Sequence, residues 1–343
     1  MVIMQNRREF IKGAALVGAM SAVGMNSNAA ETKVADKKRG LNLPEGEIFS
    51  GMNGAFSPIY TPFTTDDRVN EAMIEKVVDF QLNSGLKGFF VTGSTGEGMM
   101  LSMEERKTVL KRVAEAAKGR KAKLIAHVGA IATRDSIELA RFAAANGYHW
   151  ISSTAPVYYG QNFASACEHY RLIATATDLP FMVYSVGKAI DPDRDRGFFD
   201  IPNVKGMKYT GYQYWTLKAL RQGLDKPIAC FAGADEQALS GLASGEFAGC
   251  IGTTDNMIPA HWSKMCALVD EGKFLEAQPL QDDVVRLIKA LIPYDNETYW
   301  KSVMRYIGLD CGSSRAPNGK PLTAAEYAEL CGKLDKLEFL KRA

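Results

Sequence analysis

The stretch that decides the fold is GFFVTGSTGEGMMLSMEERKTVLKRVAEAA, residues 88–117. It begins with a short apolar run that does not alternate with polar residues, which is typical of a strand buried on both faces. A glycine-rich turn follows, and Ser102 and Glu105 then form a Ser-x-x-Glu capping box in front of apolar residues at helical spacing. The stretch therefore predicts a buried strand, a turn and a helix.

The same unit recurs along the chain. Apolar runs alternate with helix-like segments, and the runs are GAFSPIY, GFFVTG, KLIAHVG, WISSTAP, FMVYS, VKGMKYT, IACFAG and AGCIGTT. This alternation predicts a parallel sheet covered by helices, and eight such units fit a closed barrel better than an open sheet. No GxGxxG follows the first run, so a dinucleotide fold lacks its main support. We therefore predict an α/β protein with a TIM (β/α)8 barrel.

Composition predicts the limits of the barrel. We expect the barrel at residues 52–275 and a C-terminal helical appendage at residues 276–343, where apolar residues recur at helical spacing. Residues 31–51 are polar, charged and punctuated by glycine and proline, which predicts a flexible linker.

The N-terminal segment, residues 1–30, differs from the rest. Paired Arg7 and Arg8 precede a short run rich in alanine and glycine, which is the layout of an export signal of the twin-arginine type. The run is too short and too weakly apolar for a convincing membrane span. We therefore expect a periplasmic protein without stable membrane insertion; an amphipathic N-terminal helix or an uncleaved anchor is the alternative.

Bulk composition narrows the class of partner. The 343 residues include 41 Lys and Arg against 39 Asp and Glu, so no global charge favours nucleic acid. The six cysteines show no CxxC spacing and indicate small buried hydrophobes, although a disulfide between two of the C-terminal ones stays open. The four histidines show no helical metal-ligand spacing, and we expect no metal and no cofactor. A small molecule is the expected partner.

Active sites of such barrels lie at the C-terminal ends of the strands. The candidate site residues at or just after the ends of the predicted strands are Ser94, Thr95, Tyr158, Tyr184, Lys208, Thr210, Gly233, Asp235, Glu236 and Thr253.

A lone amine among hydroxyl groups favours Schiff-base chemistry at Lys208. A lysine removed from water is partly neutral and can attack a carbonyl, and Tyr184 on the preceding strand is a suitable proton shuttle. The turn that contains Ser94 and Thr95 offers amide and hydroxyl donors to a carboxylate, such as that of a 2-oxo acid. The alternatives are a solvated strand-end lysine and a purely structural turn. Lys205, earlier in the same run, is predicted to be replaceable.

The motifs GSTGEG, PVYYG, GMKYT and GADEQALSGLASGEFAGCIGTT appear in one order on successive predicted strands. With them the chain, over residues 52–340, resembles the dihydrodipicolinate synthase and N-acetylneuraminate lyase superfamily of class I aldolases. The resemblance implies that Lys208 forms the Schiff base, that Tyr184 shuttles the proton, and that Ser94 and Thr95 bind the substrate carboxylate.

The resemblance also implies a shared active site. Tyr158 would be lent across a subunit interface to a neighbouring site, so a homodimer or homotetramer is expected. Thr95 would link Tyr158 and Tyr184 in a proton relay. Tyr159 is the second choice for the shared tyrosine.

Within the superfamily, the resemblance is to the lyases that cleave N-acetylneuraminate to pyruvate and N-acetylmannosamine. It implies that Gly233, Asp235 and Glu236 grip the hydroxylated tail of the sugar acid. Thr210 and Thr253 match hydroxyl residues of the same site.

Two features depart from the lyase pattern: Ser185, Val186 and Gly187 replace the usual proline after the shuttle tyrosine, and Asp255 stands where an aromatic residue is usual. The alternatives are an aldolase or dehydratase of another 2-oxo-3-deoxy sugar acid, a dihydrodipicolinate synthase-like condensing enzyme and, outside enzymes, a periplasmic sugar-acid binding protein.

Overall fold

The computed structural model of the chain describes residues 40–158, 162–187 and 189–342. The predicted export signal at residues 1–30 and Tyr159 lie outside the described residues. Among the described helices, none combines the length and the apolar character that crossing a bilayer requires.

Eight parallel strands close into a barrel in which each strand pairs with the next and the last pairs with the first. This arrangement confirms the predicted TIM barrel. The strands are β1 Gly54–Ser57, β2 Gly88–Val91, β3 Lys123–His127, β4 Trp150–Ser153, β5 Phe181–Val186, β6 Val204–Thr210, β7 Ala229–Ala232 and β8 Gly249–Cys250.

Helices surround the barrel and extend beyond it. The capping box forms as predicted, since Glu105 N donates to Ser102 Oγ at 3.2 Å and Ser102 N donates to the Glu105 carboxylate at 2.9 Å. The helices are α1 Glu71–Asn83, α2 Met103–Ala116, α3 Thr133–Ala145, α4 Phe163–Ala174, α5 Pro192–Asp195, α6 Tyr214–Gln222, α7 Ala238–Ala243, α8 Pro259–Asp270, α9 Phe274–Leu291, α10 Glu297–Tyr306 and α11 Ala324–Leu334. The last three supply the predicted C-terminal helices.

Two apolar cores follow from the barrel geometry. The larger one lies between the strands and the helices, and the smaller one fills the barrel with side chains such as Phe56, Phe90, Trp150 and Phe231. Because side chains of a strand alternate between its faces, the uniformly apolar runs supply both cores at once.

The segment before β1 closes the N-terminal end of the barrel. Residues Glu47–Phe49 form a 3-10 turn, Phe49 is 3% exposed, and its ring centroid lies 6.0 Å from that of Trp150. Asn42 N donates to Phe247 O at 2.9 Å. The expectation of a flexible linker therefore fails for residues 40–51, because the inner apolar layer needs a cover that Phe49 and Met52 supply.

The cysteines have the environment that the sequence predicts. All six are free thiols, and all except Cys167 are buried. The disulfide that the sequence left open is not formed.

Candidate active site

The Lys208 amine lies inside the barrel near its C-terminal end. In the strand register Lys208 stands between Tyr184 on β5 and Phe231 on β7, and it is 4% exposed. Its Nζ lies 4.2 Å from the ring centroid of Tyr184 and 4.7 Å from that of Phe90. Aromatic faces stabilise a cation without neutralising it, so this lysine is a buried amine rather than a solvated strand end.

Tyr184 meets the lysine and the turn after β2. Burial by itself would raise the pKa of Tyr184, but the positive charge of Lys208 and hydrogen bonds with Ser94 and Lys208 outweigh burial and lower this pKa. A phenol with a lowered pKa next to an amine is suited to give and take a proton. The structure thus brings together three of the residues that the sequence selected.

His127 forms the wall behind Tyr184 and is a residue that the sequence analysis weighed only as a metal ligand. The ring centroids of His127 and Tyr184 are 5.8 Å apart. Burial, followed by the charge of Arg106, lowers the pKa of His127 to about 3, so the ring is neutral at physiological pH. Its Nδ1 lies 3.1 Å from Thr92 O, and its Nε2 accepts from Thr154 N at 3.4 Å. Its position as the last residue of β3 is the sequence feature that could have identified His127 as a site residue.

The turn after β2 has a strained, close-packed backbone. Thr92 and Glu97 have φ values of 57° and 55°, in the left-handed region. A Cβ on Gly98 would lie 2.0 Å from Thr92 O, so only glycine fits there. Ser94 is exposed and Thr95 is half-buried. The turn therefore presents both hydroxyl groups where a substrate carboxylate can reach them.

A buried ion pair holds this turn from below. Glu97 Oε1 accepts from Lys301 Nζ at 2.9 Å, and Glu97 Oε2 accepts from Arg315 N at 2.8 Å. Glu97 is 4% exposed and Lys301 is 0% exposed. The C-terminal helical region is thus part of the support of the site, a role that the sequence analysis did not assign to it.

The two hydroxyl groups of the turn have different partners. Ser94 is the hydroxyl that contacts Tyr184, whereas Thr95 Oγ1 lies 2.9 Å from Thr253 Oγ1. Within the single chain, Thr95 thus links the turns after β2 and β8, and its place in a relay between tyrosines stays a prediction. Tyr158 lies in the loop after β4 and is 74% exposed, and its sharing between subunits stays a prediction.

Gly233 keeps space beside the lysine. A Cβ at this position would lie 2.1 Å from Thr210 Oγ1 and 3.2 Å from Lys208 Cε. Thr210 Oγ1 is buried without a well-formed hydrogen bond among the described residues. The same hydroxyl lies close enough to the Tyr184 phenol to help lower the pKa of that tyrosine.

Asp235 and Glu236, which were expected to act together, have separate roles. Asp235 is 6% exposed, and its Oδ2 accepts from Thr254 N at 2.8 Å and from Thr254 Oγ1 at 2.7 Å. Burial raises the pKa of Asp235 to about 6. Glu236 is half-buried and accepts from the Tyr212 hydroxyl at 2.5 Å. Of the pair, Glu236 is the carboxylate that a sugar tail can reach.

Asp255 supports the turn after β8. Its Oδ2 accepts from Gly252 N at 2.8 Å, and the residue is fully buried. Burial, followed by the charge of Asp235, raises the pKa of Asp255 well above its usual range. The departure from an aromatic residue therefore places a second buried acid beneath the turn that carries Thr253.

Among residues 40–158, 162–187 and 189–342, no group of three or more His, Cys, Asp or Glu side chains could hold a metal ion.

The assembled groups match one kind of chemistry. An amine enclosed by aromatic rings can attack a ketone, hydroxyl groups beside it can hold a carboxylate, and a phenol next to it can transfer a proton. A separate carboxylate, that of Glu236, is half-buried in the turn after β7. Together these groups suit formation of an imine with a hydroxylated 2-oxo acid and cleavage of the adjacent carbon–carbon bond.

Comparisons with known proteins agree with this chemistry. Residues 51–336 match the dihydrodipicolinate synthetase family. The chain is 36% identical over 274 residues to N-acetylneuraminate lyase of Rhizobium meliloti (strain 1021), covering 78% of this chain and 89% of that protein. It is 33% identical over 266 residues to N-acetylneuraminate lyase of Escherichia coli (strain K12 / DH10B), covering 76% and 88%.

Solved structures give the same result. N-acetylneuraminate lyase from Mycoplasma synoviae superimposes with a TM-score of 0.77 at 29% identity, covering 85% of this chain and 100% of that one. The Proteus mirabilis lyase superimposes with a TM-score of 0.77 at 28% identity, covering 84% and 99%.

Proposed function

Because the chain belongs to the dihydrodipicolinate synthetase family and is a carbon–carbon lyase, we propose that it cleaves N-acetylneuraminate, or a sugar acid close to it, to pyruvate and N-acetylmannosamine. The observation that carries this proposal is the position of Lys208, which lies buried between the rings of Phe90 and Tyr184. The lyase names of the similar proteins support the choice of substrate.

The reaction begins when the amine of Lys208 attacks the C2 ketone of the open-chain substrate. Tyr184 donates its proton to the departing hydroxyl, and loss of water leaves an iminium, which withdraws electrons from the neighbouring bonds, and a Tyr184 phenolate. Tyr184 takes the proton of the C4 hydroxyl, the C3–C4 bond breaks, and its electron pair moves to the iminium as an enamine. Protonation at C3 and hydrolysis release pyruvate and restore the amine.

Binding at the two ends of the substrate orients it for this step. Ser94 and Thr95 hold the carboxylate beside the ketone, and the hydroxyl of Thr210 lies near the lysine side chain and the Tyr184 phenol. The tail extends toward Thr253 and Glu236. These contacts bring C2 to the amine, and positioning of this kind lowers the entropic part of the barrier.

The assembly forms part of the proposal. Large apolar side chains are exposed on the loops that follow β2 to β4, namely Met99, Met100, Ile131 and Val157. An exposed apolar surface of this kind is typical of a protein interface. We propose a homodimer or homotetramer in which Tyr158 completes a neighbouring site. Sedimentation of the wild type and of a Met100→Lys variant tests the assembly, because the charge should shift the population toward monomer.

Export is proposed from the sequence. Residues 1–30 would direct the folded enzyme to the periplasm through the twin-arginine route. Replacement of Arg7 and Arg8 by lysine should leave the protein in the cytoplasm of an expressing bacterium. Periplasmic recovery of that variant in undiminished amount would overturn the export proposal.

Borohydride trapping tests the chemistry. Reduction in the presence of pyruvate should attach one pyruvate-derived group to Lys208, as detected by mass spectrometry of the intact protein and its peptides. Lys208→Ala should gain no adduct, whereas the matched control Lys205→Ala, three residues earlier on the same strand, should gain it. If the intact wild type gains no adduct, the hypothesis of a sugar-acid binding protein would be favoured over that of a lyase.

A second enzyme function has a specific observation in its favour. Since Asp235 is buried and its Oδ2 accepts from Thr254, Glu236 is the more exposed of the two expected carboxylates, which also suits another 2-oxo-3-deoxy sugar acid. Pyruvate release from a panel of such acids separates the two functions. No release from N-acetylneuraminate, with release from another member, would favour the second.

A further inference from the structure

A hydrogen bond joins two loops at the mouth of the barrel. The Tyr212 hydroxyl donates to Glu236 Oε1 at 2.5 Å. Tyr212 follows the end of β6, the strand that carries Lys208, and Glu236 lies in the turn after β7. The bond thus couples the loop that leaves the reactive strand to the acidic group that faces the mouth.

This bond is the contact that orients Tyr212. The side chain is 60% exposed, so packing around it is sparse. The hydrogen bond to Glu236, followed by burial and the Glu236 charge, raises the pKa of Tyr212. The phenol therefore keeps its proton at neutral pH and stays a donor.

The bond also determines what Glu236 can do. A carboxylate has about four acceptor positions, and the phenol takes one of them on Oε1. The remaining positions on both oxygens stay available to hydroxyl groups of a ligand. Glu236 is therefore held in one orientation while it keeps the capacity to accept from neighbouring hydroxyls.

The neighbouring acid is held by different partners. Asp235 is 6% exposed and is engaged by the backbone and the side chain of Thr254. The exposed ring of Tyr212 adds an apolar face on which the C–H groups of a sugar tail can pack. Recognition of the tail then depends on Glu236 and on the tyrosine that orients it.

We propose that Tyr212 is a positioning residue that fixes Glu236 for the hydroxylated tail, so that the enzyme selects 2-oxo acids with long polyol tails over those with short ones. This inference rests on the proposed function, because the tail is that of the cleaved sugar acid.

The test compares cleavage of two substrates by wild type and Tyr212→Phe, which keeps the ring and removes the donor. The substrates are N-acetylneuraminate, with a long tail, and 2-oxo-3-deoxygluconate, with a short one. Tyr212→Phe should lower the ratio of kcat/KM for the long over the short substrate by about tenfold, through KM, with kcat changed less than about twofold. A merely structural role would change both substrates alike.

Two further variants sharpen the test. Tyr214→Phe is the matched control, because the Tyr214 hydroxyl donates to the backbone oxygen of Gln237 at 3.3 Å and makes no hydrogen bond to Glu236. It should leave the ratio unchanged. In a Glu236→Ala background, Tyr212→Phe should have no further effect on the ratio, since the phenol would have no carboxylate to orient.

The inference is overturned if Tyr212→Phe leaves the ratio unchanged, if it lowers both substrates equally, or if its effect persists without Glu236. Borohydride trapping with pyruvate on the same preparations separates this failure from failure of the proposed function. If the wild type gains the adduct but shows no preference for the long tail, only the role of Tyr212 is contradicted. If the wild type gains no adduct, the proposed function and the role of Tyr212 are both contradicted.

Discussion

Two buried lysines of this chain differ in their charged partners. Lys208 is 4% exposed and Lys301 is 0% exposed, and each amine lies over an aromatic ring, Tyr184 for the first and Phe63 for the second. Lys301 also pairs with Glu97 at 2.9 Å, whereas Lys208 has no ion pair among the described residues. Burial is thus common to Lys301, the structural lysine, and to Lys208, which we propose to be the reactive one. The difference lies in the carboxylate that neutralises the structural lysine.

The comparison explains how the two sites cooperate. The pair of Glu97 and Lys301 lies beneath the turn that carries Ser94 and Thr95, and Ser94 contacts Tyr184 beside Lys208. A buried pair of this kind is costly to break, since removal of one partner leaves an uncompensated charge. The structural lysine therefore holds the turn that serves the reactive one.

The largest expected effect is on catalysis, from Lys208→Met, which removes the amine and keeps an apolar stem. Pyruvate release should fall on the order of 10⁴-fold or more, because the covalent step is lost. The free energy of unfolding should not fall, since no ion pair is broken. Steady-state assay and urea unfolding check both statements. A loss of stability as large as that of a Lys301 variant would break the comparison.

Tyr184→Phe should follow in size. Loss of the proton shuttle should lower kcat about 10²- to 10⁴-fold, the range for general acid–base groups. Trapping with pyruvate and borohydride should still label Lys208, because the amine stays in place. Measurement of kcat and of the trapped fraction separates the two steps. Unchanged kcat would contradict the assignment of Tyr184.

Lys301→Met should act on stability first. It leaves the Glu97 carboxylate buried without its partner, so the free energy of unfolding should fall by about 3–5 kcal/mol. The double variant Lys301→Met, Glu97→Gln should recover most of this loss, because no buried charge stays unpaired. Denaturant unfolding of the three proteins measures the effect. Equal stability of the single and double variants would show that packing, and not charge, dominates at Lys301.

The smallest expected effect is a pH dependence at Asp235. Burial raises its pKa to about 6, above the unfolded value of 3.8, so the folded state binds the proton more tightly. Stability from this group is therefore full below pH 4 and is lost as the pH rises through about 6. Two units correspond to about 3 kcal/mol at most.

Asp235→Asn tests this sign. The variant should gain stability relative to wild type between pH 4 and pH 7, measured by urea unfolding at both pH values. A relative gain that shrinks as the pH rises would contradict the raised pKa. Thr254→Val removes one hydrogen-bond donor to the Asp235 carboxylate. Because that donor lowers the pKa of Asp235, this second variant should show a larger change of stability with pH than wild type.

Much of the fold could be predicted because the signals are local. The apolar run and the capping box at residues 88–117 specify a strand and a helix through contacts between near neighbours in the chain. The cover formed by Phe49 could not be predicted, because its apolar stretch is short and lies among glycine and polar residues, and its partner Trp150 is about 100 residues away. A flexible linker and a closing segment have the same local composition.

The candidate site also combines predictable and unpredictable features. The sequence predicted Lys208, Tyr184 and Ser94 as site residues because each follows or ends a predicted strand, and the barrel brings those ends together. The separate roles of Asp235 and Glu236 could not be predicted, because adjacent residues of one charge look alike until their partners are known. Thr254 buries the first, and Tyr212 holds the second at the mouth.

The sequence by itself thus determined the barrel and the set of reactive side chains at its C-terminal end, since periodicity and strand ends depend on local order. Only the tertiary structure decided which lysine pairs with a carboxylate, which acid stays partly exposed, and which hydroxyl groups contact the tyrosine. Those properties depend on charge partners and burial between distant residues, as in Lys301 and Glu97, which are 204 positions apart. The strength of an electrostatic contact depends on distance and on exclusion of water, and folding fixes both.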